Sequence, residues 1–193
     1  MKTIKKNNEN EIIIKNSRFI CYLIKINSPD INSILEKIKN IHPKATHYCY
    51  GFIYDNIKKS TDDGEPSGTA GLPILNVLEK ENLNHIMAVV VRYFGGIKLG
   101  AGGLVRAYTK SITETLKITK YIELVKGYKI NIKFPYNEEK NINYILKDSQ
   151  ITKKEYQNDI YYECNIEEKI LSNLTKYNPN ILENIYIEKL NNS

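Results

Sequence analysis

The chain has 193 residues, 41% of them hydrophobic, and a formal charge of +6. That length allows one domain or two small ones with packed cores, and no run of about 18 apolar residues marks a membrane span. A polar N-terminus without the apolar centre of a signal peptide points to the cytoplasm, and the widely spaced Cys21, Cys49 and Cys164 match no metal or redox pattern and read as buried reduced thiols. Residues 1–10 read as a polar, frayed lead. Glu11–Lys15 and Arg18–Ile26 are rich in β-branched residues and form a hairpin around Asn16-Ser17. Ser28-Pro29 supplies a capping hydroxyl and a first-turn proline, so a helix is predicted from there. It carries Ile31, Ile34, Leu35, Ile38 and Ile41 and stops before His42-Pro43.

Thr46–Tyr54 alternates as a strand, and Asp55–Ser67 reads as a loop. A short helix near Leu72-Pro73 carries Leu75 and Leu78 inward. His85–Phe94 is almost continuously apolar, which suits a central strand buried on both faces. The turn Gly95–Gly103 ends that strand, and a helix over about Gly103–Thr119 follows. Its inward stripe is Leu104, Ala107, Tyr108, Ser111, Ile112, Thr115 and Leu116, with Arg106, Lys110, Thr113 and Lys117 opposite. From Tyr121 the pattern changes to strand Lys129–Phe134, a helix opened by Asn137-Glu138-Glu139, strands Ile151–Tyr156 and Ile160–Ile166, helix Glu167–Tyr177 and strand Leu182–Lys189. The order β-α-β-β-α-β is the ferredoxin-like plan. The class is therefore α+β, with a boundary at Lys126-Gly127 dividing the chain into 1–126 and 127–193.

Charge is uneven, +9 over residues 1–134 and −3 over 135–193. A basic first part favours a polyanionic partner, although lysines on a solvated face give the same sum. Eight of the ten glycines lie in two runs, Asp62–Pro73 and Arg92–Tyr108. Such clusters mark turns or close backbone approach. The first run reads D-D-G-E-P-x-G-T-A-G-x-P and the second R-Y-F-G-G-x-x-L-G-x-G-G-L-x-R-A-Y.

On these two runs the chain resembles the Impact/YigZ family. The resemblance implies a first domain like the second domain of ribosomal protein S5 and a second domain like the last domain of elongation factor G. That pairing looks like domains IV and V of the translocation factor. It also implies the role of the eukaryotic relatives, which bind a partner that activates a translation-regulating kinase.

The expected site is a groove between the two glycine runs. The first run contributes Asp63, Glu65, Ser67 and Thr69. From the second come Arg92 and Tyr93, the turn residues Gly95, Gly96 and Lys98, and the helix residues Gly102, Gly103, Arg106 and Lys110. Free N–H groups at a helix start attract anions, and Lys98 and Arg106 add charge-assisted contacts. The spacing matches neither dinucleotide-binding nor P-loop patterns, and the same glycines also suit close helix–strand packing.

Asp62, Asp63 and Glu65 suit Mg²⁺ beside a substrate phosphate, or an acid/base pair. The simpler reading is an acidic turn that caps the Gly68–Ala70 N–H groups or pairs with Arg92. An arginine ending an apolar strand needs an acid such as Glu65, or a ligand. Tyr93 and Phe94 leave the strand on opposite faces, one for the core and one for stacking on a base or a partner. Ser67 is not in a G-x-S-x-G turn, and nothing marks His42, His47 or His85 as its base. The expectation is a non-enzymatic, translation-linked regulator that binds RNA, the ribosome or a ribosome-associated protein. It is given no cofactor, metal, catalytic residue or membrane partner. The alternatives are a regulator acting through protein contacts alone and a metal-assisted hydrolase using Asp62, Asp63 and Glu65.

Overall fold

A computed structural model describes residues 1–189, which divide into two compact units, the first Met1–Ile122 and the second beginning at Glu123. The first unit is built on an antiparallel sheet of order β2-β3-β6-β4-β5, from β2 (Asn8–Ile14), β3 (Ser17–Lys25), β4 (His47–Tyr54), β5 (Ile57–Thr61) and β6 (Ile86–Tyr93). Strand β6 lies in the middle, and seven of its eight residues are buried. Its alternate side chains serve two cores. Ala88 and Val90 join Phe19, Cys21 and Cys49 beneath α2 (Gly71–Lys80) and α3 (Ala101–Lys117). Met87, Val89 and Val91 join Ile20, Phe52 and Ile38 beneath α1 (Asn32–Ile41). A strand covered on both faces has no reason to alternate, which explains its unbroken apolar run. In α3 the buried set is Leu104, Ala107, Tyr108, Ser111, Ile112, Thr115 and Leu116, the whole expected stripe.

Three local expectations are corrected. The polar lead is structured: Lys2–Ile4 forms β1, Thr3 and Ile4 are fully buried, and Lys5 N–H donates to the Lys120 carbonyl at 2.7 Å. Helix α1 starts at Asn32, not at Ser28-Pro29, because Asp30 Oδ1 accepts the Asn32 N–H at 3.2 Å. The stretch expected to be a loop contains β5, whose Lys58-Lys59-Ser60 core carries no apolar alternation and is held by pairing with β4. Helix α2 carries Leu78 and the partly buried Leu75 onto the core as expected, and buries Pro73, Ile74 and Val77 with them.

The second unit has four antiparallel strands: β7 (Tyr121–Phe134, which begins just before it), β8 (Gln150–Tyr156), β9 (Ile160–Glu167) and β10 (Asn180–Glu188). Their order is β10-β7-β9-β8. Helix α4 (Glu139–Ile145) and the 3-10 segment Glu168–Tyr177 complete the β-α-β-β-α-β plan. Ile130, Ile132, Phe134, Tyr162 and Cys164 pack with Ile142 and Leu174 from the helical segments. No side chain caps the start of α4, contrary to the reading of Asn137-Glu138-Glu139.

Candidate functional site

Three carboxylates stand within four residues after β5, and each faces a different set of donors. Asp62 accepts the N–H groups of Gly68 at 2.8 Å, Ala70 at 2.9 Å and Gly71 at 2.8 Å. It thereby closes the loop and caps α2 from a distance. Burial works against its ionisation, but the bonds from Gly68, Gly71 and Ala70 prevail and hold its pKa below the ordinary value. Asp63 accepts the Tyr48 N–H at 2.6 Å, and its carbonyl lies 2.8 Å from His47 Nδ1. Glu65 turns inward and is only 8% exposed.

Arg92 meets Glu65 there. Cross-strand register sets Arg92 opposite His47, and the next β6 side chain on the α2–α3 face after Ala88 and Val90 is Arg92. Its Nη1 donates to Glu65 Oε1 at 2.5 Å, and Tyr108 Oη on α3 donates to the same oxygen at 2.8 Å. His47 Nε2 is 3.8 Å from Glu65 Oε2. Cys49 Sγ lies 3.3 Å from Tyr108 Oη and 2.9 Å from the Asp62 carbonyl. Burial pushes the Tyr108 hydroxyl well above its ordinary pKa, reinforced by Cys49 and Glu65. Burial likewise pushes the Cys49 thiol up to about 12. Both groups keep their protons at physiological pH, and the network joins loop, strand and helix. Among the described residues no group of three or more His, Cys, Asp and Glu is arranged to hold a metal ion.

The second glycine run starts where this network ends. Ser17 Oγ accepts the Gly95 N–H at 3.1 Å and lies 3.4 Å from Arg92 Nη2. A Cβ on Gly95 would fall 2.1 Å from the Asn16 carbonyl carbon, so the β2–β3 turn presses directly on this residue. Gly100 has φ +69 and sits at the start of α3, where no side chain caps the helix. The Leu104 N–H makes the bond to the Gly100 carbonyl, at 2.9 Å, so the N–H groups of residues 101–103 come before it, at an exposed end.

The expected site residues therefore separate into two layers. Glu65, Thr69 and Arg92 are buried, with Thr69 Oγ1 donating to the Pro66 carbonyl at 2.6 Å. Tyr93 is half-buried on the α1 face, where its hydroxyl lies 2.9 Å from His42 Nδ1. Asp63, Ser67, Gly96, Lys98, Gly102, Arg106 and Lys110 are exposed, while Gly95 and Gly103 are partly covered. Lys98, Arg106 and Lys110 make no salt bridge among the described residues; Lys110 acts on Glu114 through space, and Lys117 holds that same carboxylate at 2.7 Å. Phe94, at 47% exposure, and Ile97, at 46%, lie in the same segment. Sequence reasoning missed Tyr108, Cys49, His47 and Ser17 as members of the network. The inward place of Tyr108 on α3 was the available signal. The other three meet it only through strand register.

These features define a two-unit α+β protein in which an acidic loop and a glycine turn are locked together by a buried ion pair. The Impact N-terminal domain family model matches residues 15–116. The chain is 43% identical over 173 residues to IMPACT family member YvyE of Bacillus subtilis, covering 86% of this chain and 80% of that protein. It is 41% identical over 110 residues to IMPACT family member YigZ of Escherichia coli, covering 54% of each chain. A crystal structure of a hypothetical protein superposes with a TM-score of 0.72 at 26% identity, over 98% of both chains. The chain belongs to the Impact family. No helix among the described residues is long and apolar enough to cross a membrane.

Proposed function

We propose that this protein is a non-enzymatic, translation-linked regulator that binds RNA or the ribosome through the surface at the start of α3. One contrast carries the reading. The carboxylates of the first glycine run are engaged by the fold, whereas Lys98 and Arg106 stand exposed without a salt bridge beside an uncapped helix start, with Lys110 exposed one turn on and facing only the shared Glu114. A fixed positive end flanked by mobile cations suits phosphate groups. In this reading the first run is the support and the second is the contact surface. The Glu65–Arg92 pair holds the two in register.

With three phosphate contacts, affinity for structured RNA falls roughly 40-fold between 50 and 200 mM salt. Filter binding at the two salt concentrations measures it. The Arg106→Ala/Lys110→Ala variant should bind more weakly and lose most of that dependence. A flat salt response in the parent protein rejects direct RNA contact. The exposed Phe94 and Ile97 then support a second reading, a protein partner docked on the same turn. That partner would be retained at salt concentrations that strip RNA.

A further inference from the structure

The second unit displays an arrangement that the α3 surface does not need. Lys140 and Tyr144 stand four residues apart on α4 and share its outer face, and Tyr136 precedes them in the 3-10 turn Tyr136–Glu138. Lys147 follows just beyond, with its Nζ 5.5 Å from the Tyr144 ring centroid. Tyr156, on edge strand β8, brings a further ring 6.4 Å from that of Tyr136. Lys154, two residues before it on the same strand face, lies 4.5 Å over the Tyr162 ring. The strip from Tyr136 to Lys147 is roughly 16 Å long at helical rise.

The three rings are open, and two of them, Tyr136 and Tyr156, are tied at their hydroxyls. Tyr136 is 51% exposed, Tyr156 54% and Tyr144 71%. The Tyr136 hydroxyl donates to the Gln157 carbonyl at 2.8 Å, and that of Tyr156 to Glu139 Oε1 at 2.9 Å. A tyrosine tied at its tip offers its ring face, and the entropy of ordering it has already been lost in folding. Of the nearby acids, Glu138 and Glu155 each face a lysine, Lys176 at 3.3 Å and Lys153 at 2.7 Å, whereas Glu139 has hydroxyl donors only among the described residues. Glu139 also accepts the Tyr162 hydroxyl at 3.0 Å, and Glu138 accepts that of Tyr177 at 2.6 Å. Asp148 is exposed at the Lys147 end. Lys140, Lys147 and Lys154 have no acidic partner among the described residues. Open rings alternating with unpaired cations are complementary to unstacked bases on a phosphate backbone.

We infer that this strip of the second unit is a stacking platform for single-stranded nucleic acid. It belongs to the second unit, whereas α3 belongs to the first, and it does not rest on the role proposed for α3. The test uses the full chain and a fluorescently labelled single-stranded oligouridylate of about 12 nucleotides. Tyr144→Ala removes the most exposed ring and disturbs no hydrogen bond of the fold. It should weaken binding roughly 5- to 100-fold, whereas Tyr144→Phe should bind like the parent. The Lys140→Gln/Lys147→Gln variant should lower the salt slope by about 1.4. The chain contains no Trp, so Tyr144→Trp gives an emission that stacked bases should quench. An abasic strand of the same length should bind the parent no better than the oligouridylate binds Tyr144→Ala. Equal binding by Tyr144→Ala, by the abasic strand, or without Trp quenching overturns the inference. Binding that depends on Arg106 and Lys110 but not on Tyr144 also overturns it, while leaving the α3 surface in place.

Discussion

Arg92 Nη1 lies 2.5 Å from Glu65 Oε1, a contact spanning 27 residues of sequence and almost sealed from water. It joins the loop before α2 to the end of β6, and Tyr108 extends the junction to α3. Removing one member of a buried pair strands the other charge. Arg92→Met and Glu65→Leu should each destabilise the first unit by about 3–5 kcal/mol, measured by urea unfolding. The double variant should recover much of that loss, because neither charge is then left alone. Additive losses in the double variant would show that the pair is not the unit of stability here.

Tyr108→Phe tests the same junction more gently. The hydroxyl donates to the Glu65 carboxylate, which also faces Arg92, at 2.8 Å, and its ring packs edge-on against Phe19 at 5.3 Å. The substitution keeps the ring and removes the donor. The expected cost is about 1.5–3 kcal/mol in the same unfolding experiment. A cost under about 0.5 kcal/mol would mean that Arg92 alone satisfies Glu65.

Much of this unit can be read from the chain because its elements obey their own periods. The α3 stripe repeats at helical spacing, and every predicted member is buried. The β6 run is long and apolar because helices cover both faces. The failures lie where local chemistry does not report the partner. Strand β5 is polar after Ile57 and exists through its neighbour, and β1 is three residues long. At the candidate site, the expense of burying Arg92 pointed to an acid, and Glu65 is that acid. His47 and Ser17 carried no such signal, since their proximity follows from strand pairings with distant segments.

The Asp62 carboxylate gives the fold a pH dependence of known sign. Its folded pKa is depressed by the Gly68, Gly71 and Ala70 N–H groups, which outweigh burial. The stability it adds is therefore present above its unfolded pKa of about 3.9 and is lost as pH falls through the lower folded value. Asp62→Asn should be less stable than the parent at pH 7 by about 1–2 kcal/mol, as for a lost helix cap. The gap between the two proteins should narrow as pH falls below about 4. Parallel urea titrations from pH 7 to 3 measure it, and a gap that widens on acidification would contradict the assignment.

Two adjacent glycines should respond differently to the same added methyl group. At Gly95 a Cβ would lie 2.1 Å from Asn16 backbone carbon, with Ser17 N at 2.4 Å, so the β2–β3 turn must move. At Gly96 nothing lies within 4 Å, and the constraint is the left-handed φ of +83. Gly96→Ala should cost about 1–2 kcal/mol, the backbone penalty for an L residue in that region. Gly95→Ala adds a backbone collision and should cost more, about 2–3 kcal/mol or above, with loss of the Ser17 contact. Urea unfolding ranks the two, and amide exchange at Gly96 and Ser17 locates the damage. If the glycines served only flexibility, both substitutions would cost the same and exchange at Ser17 would not change.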